Sequence, residues 1–424
     1  MHPPLIRILS WTALLLGVAA GGPVATSTAA TQVPALTGQV ASTGVDDAGQ
    51  TTIAALGFSS GAAPRPLRLA TVPVNGSATV QLVARDAIEP QVAVAGNGAR
   101  AVVWLDLGGL RCMLAGAGQP LRRCPALGAS RTASKEPRVA LMPDGRVVVT
   151  WVSGGGHVAV IDPQSGAVRH TRLSASTRVV PIPTSDGSLL VARWTSGPLA
   201  RLVASSVGPT GQLSESQIAT GVVRAPIATA GLGPAFVWQD AVAHSLVTSG
   251  PIVLERPIAG AWHAERVSTK PSDDGGGPTE PAFAVDAAGR QLVVWTEARV
   301  RPGTNGSGLR RSTVRTRVTP GPTAPLGPAH KTGPWEHGPS VVAAPEGGFE
   351  LLTLRSHAFP IGWARVRADL LVRHVNIDGA LSAPRRVASG ATAAALASSV
   401  STSVLVWTRG KREQVWLDRG DRAR

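Results

Sequence analysis

A single motif recurs along the chain and limits what it can fold into. Its clearest copies are EPQVAVAGNGARAVVWLD from Glu89, EPRVALMPDGRVVVTWVS from Glu136 and EPAFAVDAAGRQLVVWTEA from Glu280, and in each Trp follows Glu by fifteen positions. Looser copies end at Trp194, Trp238 and Trp407, and two degenerate ones lie near Leu56 and Leu354. Anchors at 56, 104, 151, 194, 238, 295, 354 and 407 are separated by 48, 47, 43, 44, 57, 59 and 53 residues. Within a period, short apolar runs rich in Val and Thr are separated by Gly, Pro, Asn and Asp, which is the grammar of strands and turns. A β repeat of this length predicts the blades of a propeller, because solenoid repeats are usually shorter.

The period from Glu136 parses into four strands, RVALMP, RVVVTWVS, HVAVID and AVRHTRLS, with Asp144-Gly145 at the first turn and PQSG at the third. Asn97-Gly98 and Asp186-Gly187 stand at the same first turn in other copies and supply the positive φ of tight hairpins. The Trp that ends the second strand reads as a wedge filler between neighbouring blades. The last repeat has three strands and stops, whereas TQVPALTG near the N-terminus reads as a spare fourth strand. Residues 31 to 37 are therefore expected to complete the last blade and remove exposed edges. The predicted fold is an all-β single propeller of four-stranded blades, eight by this count and seven if the first repeat does not form one.

The segment before the repeats has a different character. Arg7 precedes the apolar run Ile8–Ala20, and small residues follow, which is the pattern of an export signal. Residues 1–30 are expected to be signal and 31–424 the propeller. Cleavage could follow Ala20, Ala29 or Ala30; the last two suit the start of the repeats better. No later run is long enough to span a bilayer. A secreted, extracellular monomer with no membrane span in its mature part is expected. Cys112 and Cys124 are the two cysteines and lie symmetrically about Gly118. In an exported protein they read as a structural disulfide across a hairpin.

The formal net charge is +15, carried mostly by Arg, with Lys at 135, 270, 331 and 411 alone. The basic residues are spread without a run, and Tyr is absent, so the stacking platforms of nucleic-acid binding are missing and no nucleic-acid partner is expected.

The motif P-x-V-A-x(4)-G-x(3–4)-V-x-W resembles repeats of secreted bacterial propellers, including proteins loosely labelled sialidase-like or TolB-like. The resemblance covers nearly all of the chain after residue 30. It implies a fold and little about function. The sialidase Asp-box pattern is not matched, since Ser185-Asp186-Gly187 lacks its spacing, and the Tyr nucleophile of sialidases has no counterpart. WD-type dipeptides and Kelch-type Gly-Gly blades are also absent.

On a propeller, the loops between blades and between second and third strands surround the channel mouth and usually carry function. Here Glu89, Glu136 and Glu280 precede the innermost strands of their blades, and Glu336 lies near the equivalent place. Asp106, Asp240 and Glu297 follow the repeat Trp by two residues, and Arg409 holds that position in the last blade. These carboxylates form a candidate ligand rim; oxygen-rich sites of this kind suit Ca²⁺, although no cofactor is required by the pattern. Three long segments, 268–281, 297–311 and 355–369, decorate the same region, and Trp335 and Trp363 fall outside the repeat positions. His157, His337 and His357 could approach one face, yet no metal-ligand spacing links them, and no catalytic motif is present.

The leading reading is a non-enzymatic binding or scaffold propeller for a protein, glycan or cell-wall polymer. The second is a carbohydrate hydrolase or lyase using paired rim carboxylates.

Overall fold

A computed structural model describes residues 30–57, 65–127, 135–174, 176–195, 200–208, 212–221, 227–229, 234–239, 250–268, 278–300, 309–356, 368–410 and 413–419. Every regular element among them is a β-strand. The export-signal expectation falls on 1–30, all but the last of which lie outside the described residues.

The strands pair antiparallel in four-stranded units that follow the sequence period. The unit around Trp151 runs Lys135–Leu141, Val147–Val152, Gly156–Ile161 and Val168–Arg172, in spatial order and next to one another. These are the four strands read from its sequence. Thr79–Val94 is long enough to be the fourth strand of the first unit and the innermost strand of the second, so those two units share a seven-stranded sheet. Arg385–Ser398 joins the seventh and last units in the same way. Thr31–Thr37 pairs with Gln414–Arg419 and supplies the outer strand of the last unit.

First turns share one geometry. Gly98, Gly145 and Gly187 have φ of 88°, 85° and 79°, while the Asn or Asp before each keeps negative φ. The Gly145 N–H donates to Met142 O at 2.9 Å and the Met142 N–H to Arg146 O at 2.8 Å. This is a type I turn closed by a left-handed glycine, a longer hairpin than the two-residue turn that the dipeptide alone suggests.

The innermost strands of the second, third and sixth units each begin with a β-bulge. Ile88 pairs Leu105 and Gln91 pairs Val103, so Glu89 and Pro90 together face Trp104. Glu136-Pro137 and Glu280-Pro281 repeat the arrangement opposite Trp151 and Trp295. Proline suits a bulge because it has no N–H to leave unpaired.

The Trp side chains fill wedges between units, as their position in the repeat predicts. Trp104 packs on Ala54, Leu67 and Leu69 of the first unit, and Trp151 on Ala101, Val103 and Leu105 of the second. Trp295 meets Val237, Ile252 and Leu254 of the fifth unit, and Trp407 meets Leu352 and Leu370 of the seventh. Trp194 and Trp238 meet edge to face with centroids 5.8 Å apart. Each indole is at most 6% exposed. Burying one stabilises by roughly 3 kcal/mol or more through the area removed from water. The first and last units share a core of Val33, Leu36, Val40, Ile53, Val404, Val406 and Val415.

Cys112 and Cys124 form a disulfide with Cα atoms 5.4 Å apart, linking the third and fourth strands of the second unit as the sequence suggests.

Candidate functional site

The bulges place the recurring Glu-Pro of the motif at one end of the innermost strands. Glu89, Glu136 and Glu280 adopt left-handed backbone with φ of 50°, 50° and 52°, which costs a residue with a Cβ about 1 kcal/mol or more. Contacts across the units offset that cost. The Glu136 N–H donates to Glu89 Oε2 at 3.2 Å, and the Gly338 N–H donates to Glu280 Oε2 at 3.0 Å. Thr296 Oγ1 donates to the same Glu280 oxygen at 3.0 Å. Glu89 and Glu280 thus tie their own bulges to the bulge of the following unit. Glu136 takes a different partner: Arg178 of the fourth unit grips it through Nε at 2.9 Å and Nη2 at 3.2 Å.

Other interfaces use hydroxyls at comparable places. The Val92 N–H donates to Ser42 Oγ at 3.0 Å, Thr150 Oγ1 to Val179 O at 3.1 Å, and the Val40 N–H to Thr408 Oγ1 at 2.9 Å. The last of these joins the first unit to the final one.

Glu336 does not hold the bulge position. His337 pairs Leu354 and Ser340 pairs Leu352, so Gly338-Pro339 is the register equivalent of Glu-Pro. The residue opposite it is Thr353, one before the anchor read at Leu354. Glu336 is completely buried, and its carboxylate accepts from Arg373 Nη1 at 2.6 Å, Arg373 Nη2 at 2.7 Å and Thr353 Oγ1 at 2.7 Å. In the seventh unit Thr353 therefore holds the register position that an indole holds in the second, third and sixth units, and its hydroxyl donates to a buried ion pair.

The remaining rim candidates separate. Asp106 accepts from Gly108 N–H at 2.6 Å and from Arg111 Nε at 2.9 Å in the turn between second and third strands. Glu297 pairs with Arg315 at 2.6 Å. Trp335 is half-buried with φ of 70°, and Arg409 is exposed at the end of its strand. Asp240 and Trp363 lie outside the described residues, as do 269–277, 301–308 and 357–367 from the three long segments. Structure brings Glu89 and Glu136 together in adjacent units and sets Glu280 in the sixth.

Trp151, His157 and His170 lie in mutual contact with near-parallel rings, their centroids 5.0, 5.1 and 5.4 Å apart, and His157 Nδ1 is 3.0 Å from His170 Nε2. Burial and the neighbouring His157 hold the His170 imidazole below its ordinary value. His337 Nε2 lies 2.7 Å from Ser356 Oγ, and His357 is outside the described residues. Among the described residues, no three side chains of His, Cys, Asp or Glu gather as metal ligands.

A cavity of about 720 Å³ runs along the innermost strands and is lined by first, second, third, fourth, sixth, seventh and last units. Its lining is mixed, with Val92, Val139, Val180, Phe283 and Val341 beside Thr43, Gln91, Asn97 and Ser398, and Arg138 is the charged residue among those lining it. Arg138 follows Pro137 and is the first paired residue beyond the bulge, opposite Thr150. Burial lowers its guanidinium below the ordinary arginine value, partly opposed by Glu136. Sequence reasoning passed over Arg138. The available signal was its alignment with Gln91 and Ala282, which makes it the charged member at the first paired position beyond the bulge.

These features define an all-β protein of the β-propeller class. No protein-family model matches the chain, and no curated protein matches it. Among solved structures, the WD40 domain of SCAP from fission yeast is 11% identical, covers 92% of this chain and 94% of its own, and has a TM-score of 0.52. The polysaccharide lyase Uly1 is 9% identical over 90% of both chains with a TM-score of 0.47. The Penicillium chrysogenum α-L-arabinanase complexed with arabinobiose is 14% identical, covers 70% of this chain and 96% of its own, and has a TM-score of 0.41.

Proposed function

We propose that the protein is an extracellular binding or scaffold propeller of eight blades, closed by its N-terminal strand. Its ligand, a protein, glycan or cell-wall polymer, is taken on the face made by inter-blade and second-to-third-strand loops. One observation carries the choice of binding over catalysis. The six described candidate carboxylates, Glu89, Asp106, Glu136, Glu280, Glu297 and the buried Glu336, all accept hydrogen bonds from an arginine, a backbone N–H or a hydroxyl. Glycoside hydrolysis needs an opposed pair aimed at a sugar, one to donate a proton and one to attack or activate water. Carboxylates turned onto protein donors build the scaffold instead. The disulfide suits an oxidising compartment.

The test is an array of glycans, cell-wall polymers and polyanions probed with the purified chain from Thr31, run beside a polysaccharide turnover assay. Saturable binding without release of reducing ends or unsaturated products is expected. Turnover of any polymer would overturn the reading in favour of an enzyme.

A further inference from the structure

The third unit carries two imidazoles in contact on its outer strands. His157 pairs Arg172 and Ala159 pairs His170, so His157 and His170 are diagonal neighbours on one face of the third and fourth strands. His157 Nδ1 and His170 Nε2 are 3.0 Å apart, and the two rings lie within 6° of parallel. The other nitrogen of His157, Nε2, is 2.9 Å from Ser153 O. A carbonyl only accepts, so His157 Nε2 carries the proton and Nδ1 presents its lone pair to His170. The buried indole of Trp151 lies against both rings, with centroids at 5.0 and 5.4 Å. His157 is half-buried and His170 exposed, so the pair is open to solvent.

These are the parts of a transition-metal site. Two nitrogens about 2.0–2.1 Å from one ion at a right angle stand roughly 2.9 Å apart, close to the separation here. A ligating histidine almost always donates its other N–H to a carbonyl or carboxylate, which fixes tautomer and ring, and Ser153 O does this for His157. Burial, with the neighbouring His157, lowers the proton affinity of the His170 imidazole. It is therefore neutral near pH 7, the form that ligates. Uptake of an ion replaces the hydrogen bond between the rings. The His170 proton moves from Nε2 to Nδ1 through solvent and both lone pairs turn to the metal, with no net proton released.

Donor chemistry selects the ion. Both donors are imidazole nitrogens, and among the described residues no third His, Cys, Asp or Glu joins them. Ca²⁺ and Mg²⁺, which seek oxygen, are disfavoured. A cis nitrogen pair suits Cu²⁺, which binds most tightly of the first-row divalent ions and takes a tetragonal geometry with water in its open positions. Arg172, the cation opposite His157, is exposed, where water and salt screen it, and turns Nη2 onto Gly154 O at 3.4 Å.

We propose that His157 and His170 form a surface site for Cu²⁺, with Nδ1 of the first and Nε2 of the second as cis ligands. The site uses none of the candidate rim carboxylates, so it and the binding face proposed above can fail separately.

The test titrates the chain from Thr31 with CuCl₂ at neutral pH, followed by calorimetry and electron paramagnetic resonance. One equivalent is expected with splitting from two equatorial imidazole nitrogens and with quenching of tryptophan emission, because Trp151 lies against both ligands. Removing even an outer partner of a metal ligand costs about 10–100-fold in affinity, so His157→Gln and His170→Gln should each weaken that equivalent about 10-fold or more. Both variants should keep the parent's unfolding midpoint without copper, since neither side chain is buried. His263→Gln, at an exposed histidine of the fifth unit, should leave copper binding unchanged. The proposal is overturned if no equivalent shows two nitrogen ligands, if either pair variant binds copper as the parent does, or if His263→Gln weakens binding as much.

Discussion

Replacing Glu336 by alanine tests how the seventh unit is held together. Its carboxylate has no solvent exposure and receives two bonds from Arg373, itself 5% exposed, and one from Thr353. Removing it strands a buried guanidinium, and Arg355, with its nearest nitrogen 3.8 Å from the carboxylate, adds a second cation facing the gap. Breaking one side of a buried pair of this kind costs about 3–5 kcal/mol. Replacing both partners by apolar groups of similar size removes the stranded charge as well. Glu336→Leu with Arg373→Met should therefore recover most of the loss and finish within about 1 kcal/mol of the parent. Urea unfolding followed by tryptophan fluorescence reads the result, because the buried indoles report the core directly. A loss below about 1 kcal/mol in the single variant, or a double variant as unstable as the sum of its singles, would refute the reasoning.

Three further outcomes follow from the same structure. Glu280→Ala keeps the left-handed backbone without a carboxylate and should cost about 1–2 kcal/mol, while Glu280→Gly relieves the backbone and should cost less; equal losses in urea would remove the backbone strain from the account, and no loss in Glu280→Ala would remove the inter-unit bond. Cys112→Ser with Cys124→Ser opens a loop of sequence separation 12 and should lower stability by about 3 kcal/mol, read by the same assay with and without reductant. Burial pushes the Glu255 carboxyl up to about 7, against the Trp238 Nε1–H at 3.3 Å that favours its charged form. A folded-state value above the unfolded one means that Glu255 favours folding most below about pH 4.5 and loses this advantage as pH rises towards 7. The parent's stability relative to Glu255→Gln should thus fall by about 3 kcal/mol across that window and stay level above it, and a flat difference from pH 4 to 8 would contradict this.

The fold was legible because the repeat spells out its own mechanics. Glu-Pro marks a bulge, Asn-Gly or Asp-Gly a turn, and Trp the wedge, so spacing alone locates the strands. Register was less legible. Spacing put Glu336 at the rim, whereas strand pairing gives that place to Gly338-Pro339 and sends Glu336 into the interior. The bulge lies two residues beyond the place that spacing gave it, and the degenerate seventh repeat lacks the Trp that fixes it elsewhere. The carboxylates of Glu89 and Glu280 look free in the sequence because their donors are backbone N–H groups one repeat away, 47 and 58 residues along the chain. Arg138 was hidden for another reason. The residues that line the cavity with it, such as those of Pro278–Val285 and Glu336–Ala343, come from strands that sequence proximity does not connect.

The proposed closure of the ring by the N-terminal strand underlies the proposed blade count and ligand face together. Thr37 and Gln414 are paired Cα partners on the first and last strands, and both native cysteines are already joined to each other. The most direct measurement is disulfide formation in the chain carrying Thr37→Cys and Gln414→Cys, followed by non-reducing mass analysis after proteolysis. Closure predicts near-complete formation of a 37–414 cross-linked peptide alongside the native 112–124 bond. Two free thiols at 37 and 414 under oxidising conditions, in a folded chain, would contradict it.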